Sequence, residues 1–123
     1  QRDYIYFGDF TKECGIEAAR YFAETDVTAV ICASDMMAMG LIDGLAERGI
    51  GVPDRISVIG FDDLELLRYT NYDLTTIRQD FNKIGETAFQ QLCDLIKGKP
   101  AQRIILPCQL VKRGSVRDLN LLS

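Results

Sequence analysis

Apolar and polar positions along the chain alternate between two rhythms. Short runs of β-branched and aromatic residues read as strands. Longer stretches, in which apolar residues return every three or four positions, read as amphipathic helices. Tyr4, Ile5, Tyr6 and Phe7 form the first run, closed by a turn at Gly8 and Asp9. Residues 11–24 follow with Cys14, Ala18, Tyr21 and Phe22 at helical spacing. Residues 28–32 are a short apolar run of the kind covered on both faces in a parallel sheet. Ser34 or Asp35 then offers the side-chain oxygen that caps a helix running to about residue 48, and Asp35 is read as that cap rather than as a ligand contact. Residues 56–60 form the next strand, with Asp62 and Asp63 just past its end, and residues 64–69 a short helix. Residues 74–78 make a fourth strand. Residues 82–97 are the clearest amphipathic helix, with Ile84, Ala88, Leu92, Leu95 and Ile96 on one stripe and a stop at Gly98 and Pro100. Residues 103–106 and 109–112 close the pattern as short strands, before a tail expected to fray. This alternation predicts an α/β fold, a mainly parallel sheet flanked by helices.

Composition narrows the function. A chain of 123 residues fits one domain, and 47% hydrophobic with 26% charged residues excludes disorder. No apolar run approaches the roughly 20 residues of a membrane span, and the start is not read as a signal peptide. Eighteen acidic against fourteen basic residues give a net charge of −4, which argues against a broad nucleic-acid surface on this piece of chain. The basic residues near the end (Lys97, Lys99, Arg103, Lys112, Arg113, Arg117) read as a solvated face. Histidine is absent, which removes His-based acid/base catalysis, His-activated nucleophiles and His-containing zinc sites. Cys14, Cys32, Cys93 and Cys108 lack any close pairing and read as reduced thiols of a cytoplasmic protein. No metal or cofactor is expected.

In open α/β sheets ligands bind beyond the carboxyl ends of strands, where loops and helix N-termini meet. Four such ends carry Phe10, then Ser34 and Asp35, then Asp62 and Asp63, then Gln79 and Phe81. Carboxylates and amides pair with hydroxyl groups, while an aromatic ring covers the apolar face of a sugar or base. Each residue also has a plainer role: Phe10 as a core aromatic, one of the two aspartates as a helix cap. An alternative reading gives Asp62 and Asp63 to Mg²⁺, with Asp35 and Lys12 or Arg78 assisting, as a phosphoryl-transfer centre. Met37, Leu41, Gly44 and Leu45 share a sheet-facing stripe of the second helix. Met36 and Met39 fall outside it and are assigned to an apolar patch for a partner subunit.

The order of residues is more specific than their types. Gly51, Pro53 and Asp54 precede Ile56-Ser57-Val58-Ile59-Gly60-Phe61-Asp62-Asp63, then Leu74-Thr75-Thr76-Ile77, Gln79 and Gly85. Together with Ala33-Ser34-Asp35-Met36-Met37-Ala38 upstream and Leu110-Val111-Lys112-Arg113 at the end, this resembles the LacI/GalR family of bacterial transcriptional regulators, from about residue 8 to residue 113. The resemblance implies an incomplete C-terminal lobe of a periplasmic-binding-protein-like type I fold across residues 1–123, with residues 82–106 crossing to an N-terminal lobe outside this chain. It implies no enzyme but an effector-binding and dimerisation module. Its ligand would be a sugar or sugar derivative held by Phe10, Ser34, Asp62, Gln79 and Phe81, with Met36 and Met39 in the dimer interface. Operator DNA would be met only through a separate headpiece. The fragment is expected to dimerise, with domain swapping as one route. A periplasmic sugar-binding protein of a transporter shares the fold and is the alternative.

Overall fold

The computed structural model describes residues 4–122. Thr11, in extended conformation, accepts the Cys14 N–H with its hydroxyl and so opens helix α1, Lys12–Ala23. Strand β1, Ala29–Ile31, leads to helix α2, Asp35–Ala46, and this returns to strand β2, Ser57–Asp62. A 3-10 turn over Glu65–Tyr69 precedes strand β3, Thr75–Arg78, and helix α3, Phe81–Ile96. Strand β4, Gln109–Val111, and a 3-10 turn at Leu119–Leu122 finish the chain. The sheet order is β1-β2-β3-β4, parallel through β3 and closed by antiparallel β4.

Helix α2 packs on β2 and on α1, and both helices share one buried cluster with β1 and β2. Met39, Leu41, Leu45, Ile56, Val58 and Leu74 are fully buried there. Three glycines, Gly15, Gly40 and Gly44, make the helix contact close. A Cβ on Gly40 would fall against the Lys12 carbonyl, and one on Gly15 against that of Met37.

Several expectations change. Residues 4–7 and 103–106 form no strand, since neither segment joins the ladder of the four-stranded sheet. Only Val30 of β1 is buried, and Ile31 is 76% exposed, so that strand is covered on one face rather than two. Ser34, not Asp35, caps α2: its backbone is extended and its Oγ accepts the Met37 N–H at 3.2 Å. Met39, assigned to a subunit patch, is 2% exposed and belongs to the core, while Met36 is half-buried against that core. The reason is the wide apolar arc of α2, which faces α1 as well as the sheet.

Candidate functional site

The carboxyl ends of β2 and β3 border a cavity of about 800 Å³. Its walls include Asp62, Arg68, Arg78, Gln79, Phe81 and Cys108. Parallel pairing sets Asp62 beside Arg78, and the Gln79 Nε2 donates to Asp62 Oδ1 at 2.8 Å. Phe81 opens α3 directly after Asp80, whose carboxylate accepts the Lys83 N–H at 2.8 Å and caps the helix. A carboxylate, an amide and a ring therefore line one wall, as recognition of a hydroxylated ligand requires.

The adjacent aspartates part company. Both have left-handed backbones, with φ 111° at Asp62 and 54° at Asp63, so the chain turns sharply as β2 ends. Asp63 turns inward, accepting from Arg78 Nε at 2.6 Å and Arg113 Nη2 at 2.7 Å. Burial alone would raise the Asp63 carboxyl, but the hydrogen bonds from Arg113 and Arg78 outweigh it and hold it below the usual range. Asp62 stays half-buried and meets Gln79 instead, and both aspartates border the cavity. The pair thus does not converge on one point, as a shared cation would need.

Asp35 has a third environment. Fully buried, it accepts from Thr76 Oγ1 at 2.5 Å and from the Leu64 N–H at 2.8 Å. Desolvation raises its carboxyl against the pull of those two bonds, and the Asp62 and Asp63 charges add to the rise. Cys32 is likewise buried, its thiol pushed up to about 12 chiefly by desolvation, which makes it an apolar packing group.

Not every expected contact meets here. Phe10, 63% exposed with φ 67°, lines a separate cavity of about 410 Å³ between residues 4–8 and β1. Ser34 is 6% exposed, its hydroxyl engaged as the α2 cap, and it borders neither cavity. Arg113 was legible as one basic residue among several and as the end of the closing Leu110-Val111-Lys112-Arg113 motif, but not as a partner of Asp63. Its role depends on β4 returning beside β3, and its Nη1 also donates to the Leu74 carbonyl at 2.8 Å.

The opposed shifts set a pH signature. The Asp63 contribution is present above the unfolded carboxylate value of about 3.9 and is lost as pH falls through its lower folded value. Asp35, raised in the fold, contributes in the opposite sense: its share is present at low pH and lost as pH rises through its folded value. Urea midpoints taken from pH 7 to pH 3 are expected to drop below about pH 4. Asp63→Asn is expected to flatten that drop; an identical slope in both proteins would show that the arginine pair does not govern acid stability.

The model of the periplasmic binding protein-like domain matches residues 5–116. The transcriptional repressor PurR of Photobacterium profundum, a helix-turn-helix-type regulator, is 43% identical over 122 residues, which is 96% of this chain but 36% of that protein. A LacI family transcriptional regulator from Enterococcus faecium, solved with bound ribose, superposes with a TM-score of 0.78 at 32% identity, over 88% of this chain and 41% of that one. The lac repressor dimer bound to operator and the anti-inducer ONPF gives 0.81 at 34% identity, over 89% of this chain and 39% of that one. Such relatives are transcriptional regulators, and this chain spans well under half of each. With the family matched from residue 5 to residue 116 and regulators of this kind as its relatives, the chain belongs to the periplasmic binding protein-like domain family, as an effector-binding domain of the LacI/GalR type.

Proposed function

We propose that this chain is the effector-binding and dimerisation part of a bacterial DNA-binding transcriptional repressor, without catalytic activity of its own and working in the cytoplasm. The observation that carries the reading is the half-buried Asp62 carboxylate, hydrogen-bonded to Gln79 on the wall of a wide cavity. One side of a small molecule, a sugar or sugar derivative, would rest on Asp62, Gln79 and Phe81. The bound ribose of the Enterococcus faecium relative supports that ligand class. Phe10, beyond this wall, would reach the ligand only from its other side, and the buried Ser34 would act through the α2 cap.

A second lobe, outside this chain, supplies the opposite wall in this reading. A ligand that bridges both lobes favours one relative orientation, and the DNA headpieces respond with a coupling free energy of about 1–3 kcal/mol. Helix α3 is consistent with such a neighbour. None of its residues is buried, and Phe89, Leu92, Leu95 and Ile96 stay exposed along its apolar side. Residues 82–106 would therefore cross to the second lobe. In its absence the fragment is expected to self-associate, by swapping or by pairing α3, and light scattering showing only monomer at high concentration counts against this.

The deciding experiment is calorimetric titration with ribose, other pentoses and hexoses, and purine bases. This chain alone is expected to bind each more weakly than about 1 mM, and the two-lobed region at least about 100-fold more tightly, the gain worth roughly 2.7 kcal/mol. Equal affinity in both would remove the bridging mechanism.

A further inference from the structure

The corner after β2 is held from two sides. Asp63 ties it to Arg78 on β3 and to Arg113, which follows β4. On the other side, the next residue but one from Asp62 is Leu64, whose N–H ends on Asp35 Oδ2. The other oxygen of Asp35 takes the hydroxyl of Thr76, midway along β3 and itself fully buried. The backbone makes room for this arrangement. Gly60 lies in β2 directly under the carboxylate, and a Cβ there would collide with Asp35 Oδ1. A buried carboxylate with only neutral donors is a costly way to fill a core position, since an apolar side chain would avoid the desolvation. What the carboxylate supplies and an apolar group cannot is two acceptors at once, one for the corner and one for β3.

We infer that Asp35 is a positioning residue for the Asp62 wall of the cavity: its buried carboxylate clips the corner after β2 to the start of α2 and to the middle of β3, and so sets where Asp62 is presented. The consequence for ligand binding rests on the function proposed above, while the clip itself is tested without any ligand. Among the described residues Gln79 is the hydrogen-bond partner of the Asp62 side chain, and the Asp62 backbone closes the ladder opposite Arg78. Where the carboxylate is presented therefore follows from β3 and from the residues fixed just past the turn. Asparagine at position 35 keeps both partners, turning its carbonyl to Leu64 and its amide to Thr76. Alanine keeps neither.

The experiment is amide hydrogen exchange and side-chain amide NMR on the full chain. In Asp35→Ala, exchange at Leu64 is expected to accelerate at least about 10-fold and the Gln79 Nε2 resonances to move toward those of a free amide, as loss of one buried acceptor predicts. The Val58 N–H, bonded to the Ser115 carbonyl at 2.8 Å, should stay protected and reports that the fold persists. Asp35→Asn is expected to restore both signals to near the parent values. If Asp35→Ala leaves Leu64 protected or Gln79 unmoved, the inference is overturned. Should Asp35→Ala lose Val58 protection, Thr76→Val is read in its place: it removes one partner of the carboxylate while keeping its own shape. Faster exchange at Leu64 together with shifted Gln79 signals supports the clip, and unchanged values overturn it. Because no effector enters, a failure here stands apart from a failure of the calorimetric titration.

Discussion

Replacing Gly40 with alanine is expected to remove about 2–3 kcal/mol of folding stability, the scale set by overpacking of a close-packed interior. The added methyl would overlap the Lys12 carbonyl oxygen, with the Lys12 carbonyl carbon at 2.9 Å and the Gly15 Cα at 3.1 Å. All three are backbone atoms and cannot rotate aside, so α1 and α2 must separate. Separation loosens Ala18, Ala19, Leu41 and Leu45, all buried in the same cluster. Against this, alanine brings up to about 1 kcal/mol of helix propensity. Gly85 isolates that gain, since nothing lies within 4 Å of a Cβ there. Urea unfolding should therefore show Gly40→Ala destabilised and Gly85→Ala level or slightly stabilised. A neutral Gly40→Ala would mean that the helices do not meet at this distance.

The same helix pair shows what periodicity conveys and what it conceals. Apolar spacing placed α1, α2 and α3 to within a few residues, because the 3.6-residue repeat is a local property. It divided the α2 methionines wrongly, because a one-sided stripe assumes one neighbour. Helix α2 has two, the sheet and α1, and Met39 is buried as a result. Strands were legible where a ladder exists and over-read where none does. Residues 4–7 and 103–106 have strand composition, but strand formation needs a partner backbone, which composition does not supply. Ser34 and Asp35 were indistinguishable as caps by residue type, since both offer an oxygen. What separates them is Thr76, 41 residues further on, which draws Asp35 inward.

For the site, the sequence located the strand ends but not their grouping. Asp62, Gln79 and Phe81 share a wall because β2 and β3 are neighbours in register. Phe10 follows a segment that pairs with neither strand and lies in another cavity. The different fates of Asp62 and Asp63 could not be read from two identical side chains. They follow from successive left-handed residues and from Arg113, brought in by the antiparallel β4.

That division yields the second large effect. In the two-lobed region, Asp62→Ala is expected to weaken binding of the effector found by titration about 10- to 100-fold, because hydrogen bonds to a charged acceptor contribute about 1.5–3 kcal/mol each. Stability should change little, since among the described residues the side-chain bond lost is that from Gln79, at a half-buried position. Asp63→Asn should do the reverse. It weakens the anchor of Arg113 and Arg78 and lowers stability, and it alters binding only as far as the corner relaxes. Calorimetry and urea unfolding on both variants give a crossed pattern: affinity without stability at Asp62, stability before affinity at Asp63. If Asp62→Ala binds as tightly as the parent, the half-buried carboxylate is not a ligand contact, and the wall it stands on has some other use.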